Sequence, residues 1–413
     1  MNNFNKILYL VVLTLILARV DAQTEHLSVF NQKMSFDAYL STVGKQNLEY
    51  LANKLNVDIA DAEVLAAKVL PDPSLDFEAA KETFSLGLSY SLELGKRHAR
   101  TNLAKSERDV EMLTLEQQFH DLRAQAADLF LDAILQKELL SVKKTSYQYM
   151  LQLSQSDSLR LIAGELNEND ARQSRLEAIS LLNEVYDQEA AYYSSLVELN
   201  KFMGTNTDTL FIPEGNWQKL ECEYTLPSLL NIGITNRADL LAATKSIEVN
   251  TNAYKLVRAE RRPDIDLSLS YERDWNRFLP EARYVTMGVS IPLTFSVMNK
   301  GSVRAAKHRT NQSVLLQKDA ELQVQSEIKQ SWLAFEAEKK KVSQYQLGVL
   351  NESQKVLDGM VYKYRRGEAT ILDVLIAQRT YNDISQDYLE TMKGYVSALV
   401  ALEKSCGIWD IHF

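Results

Sequence analysis

Tyr364-Arg365-Arg366-Gly367-Glu368-Ala369-Thr370-Ile371-Leu372-Asp373-Val374-Leu375 has a weaker copy upstream, Gly164-Glu165-Leu166-Asn167-Glu168-Asn169-Asp170, at a period of roughly 200 residues, half of the chain. One register carries Gly164 onto Gly367, Glu165 onto Glu368, Asp170 onto Asp373 and Tyr192 onto Tyr395. It also carries the segment from Leu199 to Gly204 onto the segment from Leu402 to Gly407. A register held over about forty residues implies a duplicated chain. The repeats divide the sequence into 23–212 and 228–413, with 213–227 as the link between them.

Residues 1–22 have the pattern of a secretory signal peptide. Lys6 precedes the apolar run Ile7 to Leu17, and Val20-Asp21-Ala22 supplies small residues before a cleavage expected after Ala22. That apolar core is shorter than the roughly 20 residues of a spanning helix. No Cys follows the cleavage site, so a lipid anchor is not expected, and no extension is expected after the second repeat. Charge interrupts every later apolar stretch, so any membrane crossing would have to use strands. The net charge of −9, with Lys and Arg scattered, argues against nucleic acid as a partner. Two cysteines, Cys222 and Cys406, are too few for a disulfide scaffold, although one bridge between them stays open.

Gly and Pro are sparse, at 14 and 7 residues, and Arg97 to Arg160 contains neither. From Leu115 the positions Phe119, Leu122, Ala126, Leu129, Ala133, Gln136 and Leu140 step alternately by four and three, a coiled-coil seam. A helix of about 60 residues would reach roughly 90 Å, so the molecule is expected to be elongated. The final helix repeats the pattern through Ile371, Val374, Gln378, Tyr381, Ser385, Tyr388, Met392, Tyr395, Leu399, Leu402 and Cys406. Polar Gln136, Gln378 and Ser385 on a seam suit an assembly in which each helix finds neighbours on both flanks.

Two regions switch to a period of two. Phe84, Leu86, Leu88, Tyr90, Leu92 and Leu94 alternate with small or polar residues, and the partner strand is expected around Ser74 to Glu78, giving a hairpin over 74–94. In the second repeat Ile265 to Tyr271 and Tyr284 to Leu293 form the corresponding hairpin over 264–295, joined by a loop around Asp274-Trp275-Asn276-Arg277. Strands of about nine residues are long enough to cross a bilayer when tilted. A soluble sheet packed on helices would alternate too. The Ser, Gly, Thr, Asp and Glu on the second face are what a water-filled lumen accepts. Four strands cannot close a barrel, so insertion into lipid would require several copies to pool them.

This plan, stated twice, resembles the TolC-type outer-membrane efflux proteins. Leu92-Glu93-Leu94-Gly95-Lys96-Arg97-His98-Ala99-Arg100 and Asn236-Arg237-Ala238-Asp239-Leu240 are similar to segments of the branch serving heavy-metal and related RND-type tripartite exporters. Ile291-Pro292-Leu293 followed by Asn299-Lys300-Gly301 is similar to its second strand-to-helix exit, although Thr294-Phe295-Ser296-Val297 departs from it. The resemblance implies a mainly α fold with a β membrane part: long antiparallel helical hairpins forming an α-barrel tunnel, and four strands per chain entering a homotrimeric 12-stranded transmembrane β-barrel. It implies an outer-membrane duct extending into the periplasm, in contact with outer-membrane lipid, a periplasmic adaptor (membrane fusion) protein and an inner-membrane pump of RND type. The cargo would be small molecules or metal ions.

The hairpin tips, over 160–170 and 364–373, would then form the periplasmic mouth. The resemblance implies a constriction at Asp170, Asp373 and Tyr364, and a docking surface for the adaptor at Gly164, Leu166, Arg366, Gly367 and Ala369. The basic gate partner of some relatives falls at Ala369, with Arg365 and Arg366 as candidate substitutes. Thr370-x-x-Asp373 and Asn167-x-x-Asp170 are also helix starts of the capping-box kind, and each glycine suits a helix end that needs positive φ. Gating and capping are compatible. No enzyme, cofactor or metal site is expected, because the five histidines are dispersed and no phosphate-cradling glycine loop or nucleophile elbow occurs. The alternative class is a soluble periplasmic coiled-coil scaffold or the adaptor itself.

Overall fold

The computed structural model describes residues 32–205, 210–215, 224–275, 280–292 and 299–411. The expected signal segment, Cys222, Asn276, Arg277 and Thr294 to Val297 lie outside the described residues. The first repeat runs β1 (Gln32–Ser35), α1 (Phe36–Gln46), α2 (Leu48–Ala67), β2 (Ser74–Ala79), β3 (Thr83–Leu92), α3 (Lys96–Ile162) and α4 (Glu168–Met203). After β4 (Phe211–Glu214), the second runs α5 (Leu226–Asn236), α6 (Ala238–Ala259), β5 (Ile265–Asp274), β6 (Ala282–Ser290), α7 (Asn299–Gln344), α8 (Leu350–Arg365) and α9 (Ile371–Cys406). A wide π-type turn at Tyr345–Val349 joins α7 to α8.

β2, β3, β5 and β6 form one antiparallel sheet in that order. Its registers place Leu75, Leu88, Leu269 and Met287 in one row across all four strands, and Phe77, Leu86, Tyr271 and Val285 in another. The rows between them hold Asp76, Gly87, Ser270 and Thr286, then Glu78, Ser85, Glu272 and Tyr284. Alternation along each strand therefore becomes one apolar and one polar face of the sheet. Among the described residues nothing covers the apolar face: Leu88 is 50% and Met287 82% exposed.

The helices hang from the sheet in the same lateral order. α2 lies beside α3, α3 beside α6 and α6 beside α7. The exits are pinned by ion pairs, Lys96 to Asp264 at 2.6 Å and Arg100 to Glu93 at 3.1 Å. The 67-residue α3 reaches about 100 Å at 1.5 Å per residue. The seam expected on α9 is buried or half-buried at every position from Ile371 to Cys406. On α3 the residues between Leu122 and Leu140 are buried beyond a single stripe, because α4, α9 and α1 close on it from several sides.

A large core lies at this level, with Phe36, Tyr39, Phe130, Leu196, Phe335 and Leu399 among its members. Arg237, from the segment resembling the heavy-metal branch, is buried there between Asp239 and Glu327, both at 2.5 Å, and donates to the Ser405 carbonyl oxygen. Cys406 is a buried free thiol. Beside this core β1 and β4 pair in parallel, an element absent from the sequence reading. A second, separate core lies toward the hairpin tips.

Candidate functional site: the hairpin tips

Both tips are built by the same backbone chemistry. α3 ends with Gly164 at φ 77°, its N–H donating to the Leu161 carbonyl oxygen at 3.0 Å and that of Glu165 to Arg160 at 2.9 Å. α8 ends with Gly367 at φ 75°, with the equivalent bonds from Gly367 to Tyr364 and from Glu368 to Lys363, both 2.9 Å. These paired bonds satisfy the last carbonyls of each helix and turn the chain. A Cβ at either glycine would meet nothing within 4 Å, so glycine serves the dihedral angle and not the space.

Three residues after the glycine each hairpin enters its return helix through a cap. Asn167 Oδ1 accepts from the Asp170 N–H at 2.9 Å, and its amide donates to the Asp170 carboxylate at 2.7 Å. Thr370 Oγ1 accepts from the Asp373 N–H at 3.3 Å while Asp373 accepts from the Thr370 N–H at 2.8 Å, a reciprocal capping box. That bond, followed by the one from the Thr370 hydroxyl, holds the Asp373 carboxyl below its ordinary range. Asp373 is exposed and Asp170 half-exposed, so each carboxylate both caps its helix and reaches solvent at the tip.

The residues expected to face an adaptor separate into two groups. Gly164, Arg366 and Gly367 are exposed. Leu166 and Ala369 are half-buried and pack on the tip core, which includes Met150, Leu153, Leu181, Leu357, Val361 and Val374. Arg366, one of the two candidate basic residues, has its partners close by in the chain. It pairs with Glu368 at 3.1 Å and donates to the Tyr362 hydroxyl at 2.8 Å, both on its own hairpin.

Tyr364 is only 3% exposed, and its neighbours come from the other hairpin. The Arg160 guanidinium lies over its ring at 5.4 Å and 3.8 Å from Asp157 Oδ1. Asp157 has no exposed surface, although the slender bundle leaves it only moderately deep. Its carboxylate is near the Tyr364 and Ser174 hydroxyls, yet neither oxygen makes an aligned hydrogen bond. Burial raises the Asp157 pKa above the ordinary carboxylate value, and the hydroxyls and Arg160 oppose the shift. Burial, then Asp157, pushes the Tyr364 phenol upward, so it stays protonated at neutral pH.

Asp157 and Arg160 were missed by sequence reasoning, which followed the α3 seam only to Leu140. Continued in the same steps, the seam runs through the half-buried Lys143 and Tyr147 to Met150, Ser154 and Asp157, all three buried. A carboxylate on a buried stripe was the available signal. Among the described residues no group of His, Cys, Asp and Glu could hold a metal ion, and no helix is long and apolar enough to cross a membrane.

A four-stranded sheet with one bare apolar face, continued by two long helical hairpins with matching tips, defines the class of the outer-membrane efflux channels. Residues 229–408, most of the second repeat, match the family described as Outer membrane efflux protein. It is similar to the cobalt-zinc-cadmium resistance protein CzcC of Cupriavidus metallidurans, 22% identical over 400 residues, covering 94% of this chain and 95% of the relative. The pyoverdine export outer membrane protein OpmQ of Pseudomonas aeruginosa is 22% identical over 340 residues, covering 79% of this chain and 70% of the relative. Among solved structures, the Campylobacter jejuni CmeC outer membrane channel has the same fold with a TM-score of 0.75 at 13% identity, covering 90% of this chain and 85% of that one.

Proposed function

We propose that this protein is the outer-membrane duct of a tripartite exporter. Three copies pool their four strands into a 12-stranded barrel, continued into the periplasm by a helical tunnel. Small molecules or metal ions reach it from an inner-membrane pump of RND type through a periplasmic adaptor. The observation that carries this reading is the sheet. Among the described residues its apolar face has no partner and its two outer strands leave open edges, and lipid tolerates neither an open edge nor an unpaired backbone. The polar face carries Asp76, Glu78, Asp266, Glu272 and Asp274 without Lys or Arg among its described residues, which suits a wet lumen.

The helices support assembly in the same way. Leu176, Ile179, Tyr186, Tyr193 and Val197 form an exposed stripe on α4, and Leu48, Leu51, Leu55 and Ile59 form one on α2. Stripes at helical spacing that find no partner among the described residues suit neighbouring copies arranged head to tail in a ring. At the mouth, Asp170 and Asp373 repeat around the axis as rings of like charge that favour cations. Tyr364, held by Asp157 and Arg160, ties the two hairpins together in the closed state. Gly164, Arg366 and Gly367 face the adaptor, with Leu166 and Ala369 supporting them from beneath.

Fractionation tests the assignment. The protein is expected in the outer membrane and to need detergent for extraction as a trimer. Recovery from the periplasmic soluble fraction without detergent would leave the scaffold alternative.

A further inference from the structure

The two inner helices of the repeats are equal in span, Lys96 to Ile162 and Asn299 to Arg365, but only the first is continuous. The second is broken by the turn at Tyr345–Val349, where Gly348 takes φ 99° and ψ 13°. Tyr345 packs on Tyr388 of α9 with ring centroids 5.5 Å apart, which fixes the height of the break along the hairpin. A Cβ at Gly348 would meet nothing within 4 Å, so the glycine again serves the backbone angle.

Just tipward of that height the fully buried apolar core is interrupted, and only the half-buried Tyr147 packs against the parts on both sides. The large core includes Leu139, Val342, Leu389 and Met392, whereas the tip core starts at Met150, Leu357 and Ala377. Between them lies a buried polar layer. Ser146 donates to Asn382 Oδ1 at 2.6 Å, and Gln378 Nε2 donates to Asn382 Oδ1 at 3.0 Å and to Ser146 Oγ at 3.3 Å. Gln378 Oε1 is buried without a partner. Hydrogen bonds between side chains can be exchanged during a small displacement, while interlocked apolar side chains have to separate.

We infer that Gly348 and the Ser146–Gln378–Asn382 layer form a joint about which α8 and the tip end of α9 move against α3 and α4 when the channel opens. From Gly348 to Gly367 the arm is about 28 Å long at 1.5 Å per residue, so a rotation of about 15° carries the tip roughly 7 Å. Because α7 ends at the break, α8 moves without bending the helix that enters the barrel. The resistance at the far end of the arm is the contact of Tyr364 with Arg160 and Asp157. This joint rests on the channel reading.

The experiment uses trimers reconstituted in planar bilayers, with R160A as the parent in which the tip contact is broken. R160A is expected to raise the open fraction at least tenfold over wild type. Adding G348A, whose side chain disfavours positive φ, is expected to return most of that gain. G348N, which tolerates positive φ better, is expected to keep opening within about threefold of the parent. Gln378→Leu with Asn382→Leu, which joins the two cores, is expected to close the parent independently of the glycine, and it decides the matter if G348A fails to assemble. G359A, at an ordinary helical position in α8, is expected to change nothing. A parent that opens equally with and without G348A or the double leucine change overturns the joint, as does equal loss with Asn and Ala at 348. Wild type and every variant lacking any conductance would overturn the channel reading, and the joint with it.

Discussion

Asp157 illustrates how one buried group sets the behaviour of a contact. Burial is the main cause of its raised pKa, so the closed tip disfavours the carboxylate and favours the acid. Stability from this group is fully present below the ordinary carboxylate value and is lost as pH rises through the raised folded value. Arg160, Tyr364, Ser174 and Asp170 face the group; the phenol stays protonated over that range. Mild acid is therefore expected to close reconstituted channels, and D157N to remove that pH step while leaving the rest of the acid response. A pH step of unchanged size in D157N would assign it to another carboxylate. The turn residues make a second case. G367A places a side chain at φ 75° and is expected to cost about 1–2 kcal/mol, and T370A about 1 kcal/mol through the lost cap, read as lower thermal stability of the trimer in detergent. The glycines, the caps and Asp373 were all legible because they act within a few residues of chain. The partners of Tyr364 were not, because they come from a helix two hundred positions away and are brought together by packing.

Among the elements, the strands were the most legible. Their period of two showed directly as polar and apolar faces, and the registers of β2, β3, β5 and β6 align those faces across the sheet. Leu88 lies mid-strand on the apolar face and Ser89 beside it on the polar face. L88R is expected to cost about 2–4 kcal/mol and to lower the amount of protein in the outer membrane, whereas S89R is expected to insert normally and alter conductance. Equal tolerance of the two substitutions would mean that the sheet does not meet lipid on one side only. The parallel pair of β1 and β4 was not legible. Each has four residues, too short for alternation to register, and the two meet only because the repeats close on each other. The break at Gly348 was equally hidden, since a lone glycine in a helical stretch is compatible with continuous helix.

At the scale of the whole molecule, the exposed apolar stripes on α2 and α4 suit a face between copies of the chain. I179K together with Y186K on α4 is expected to convert trimers into monomers in native electrophoresis while the helix content of the chain is retained. A trimer of undiminished stability would place the interface elsewhere. The duplication, the helical and strand periods and the turn chemistry are properties of short stretches of covalent chain, and the amino-acid sequence by itself determined them. Which helix lies beside which, the division into two cores with a polar layer between them, and the burial of Asp157 against Tyr364 were decided only by the tertiary structure. The physical reason is that these depend on contacts between residues far apart in sequence, whose energies exist only after the hairpins have packed.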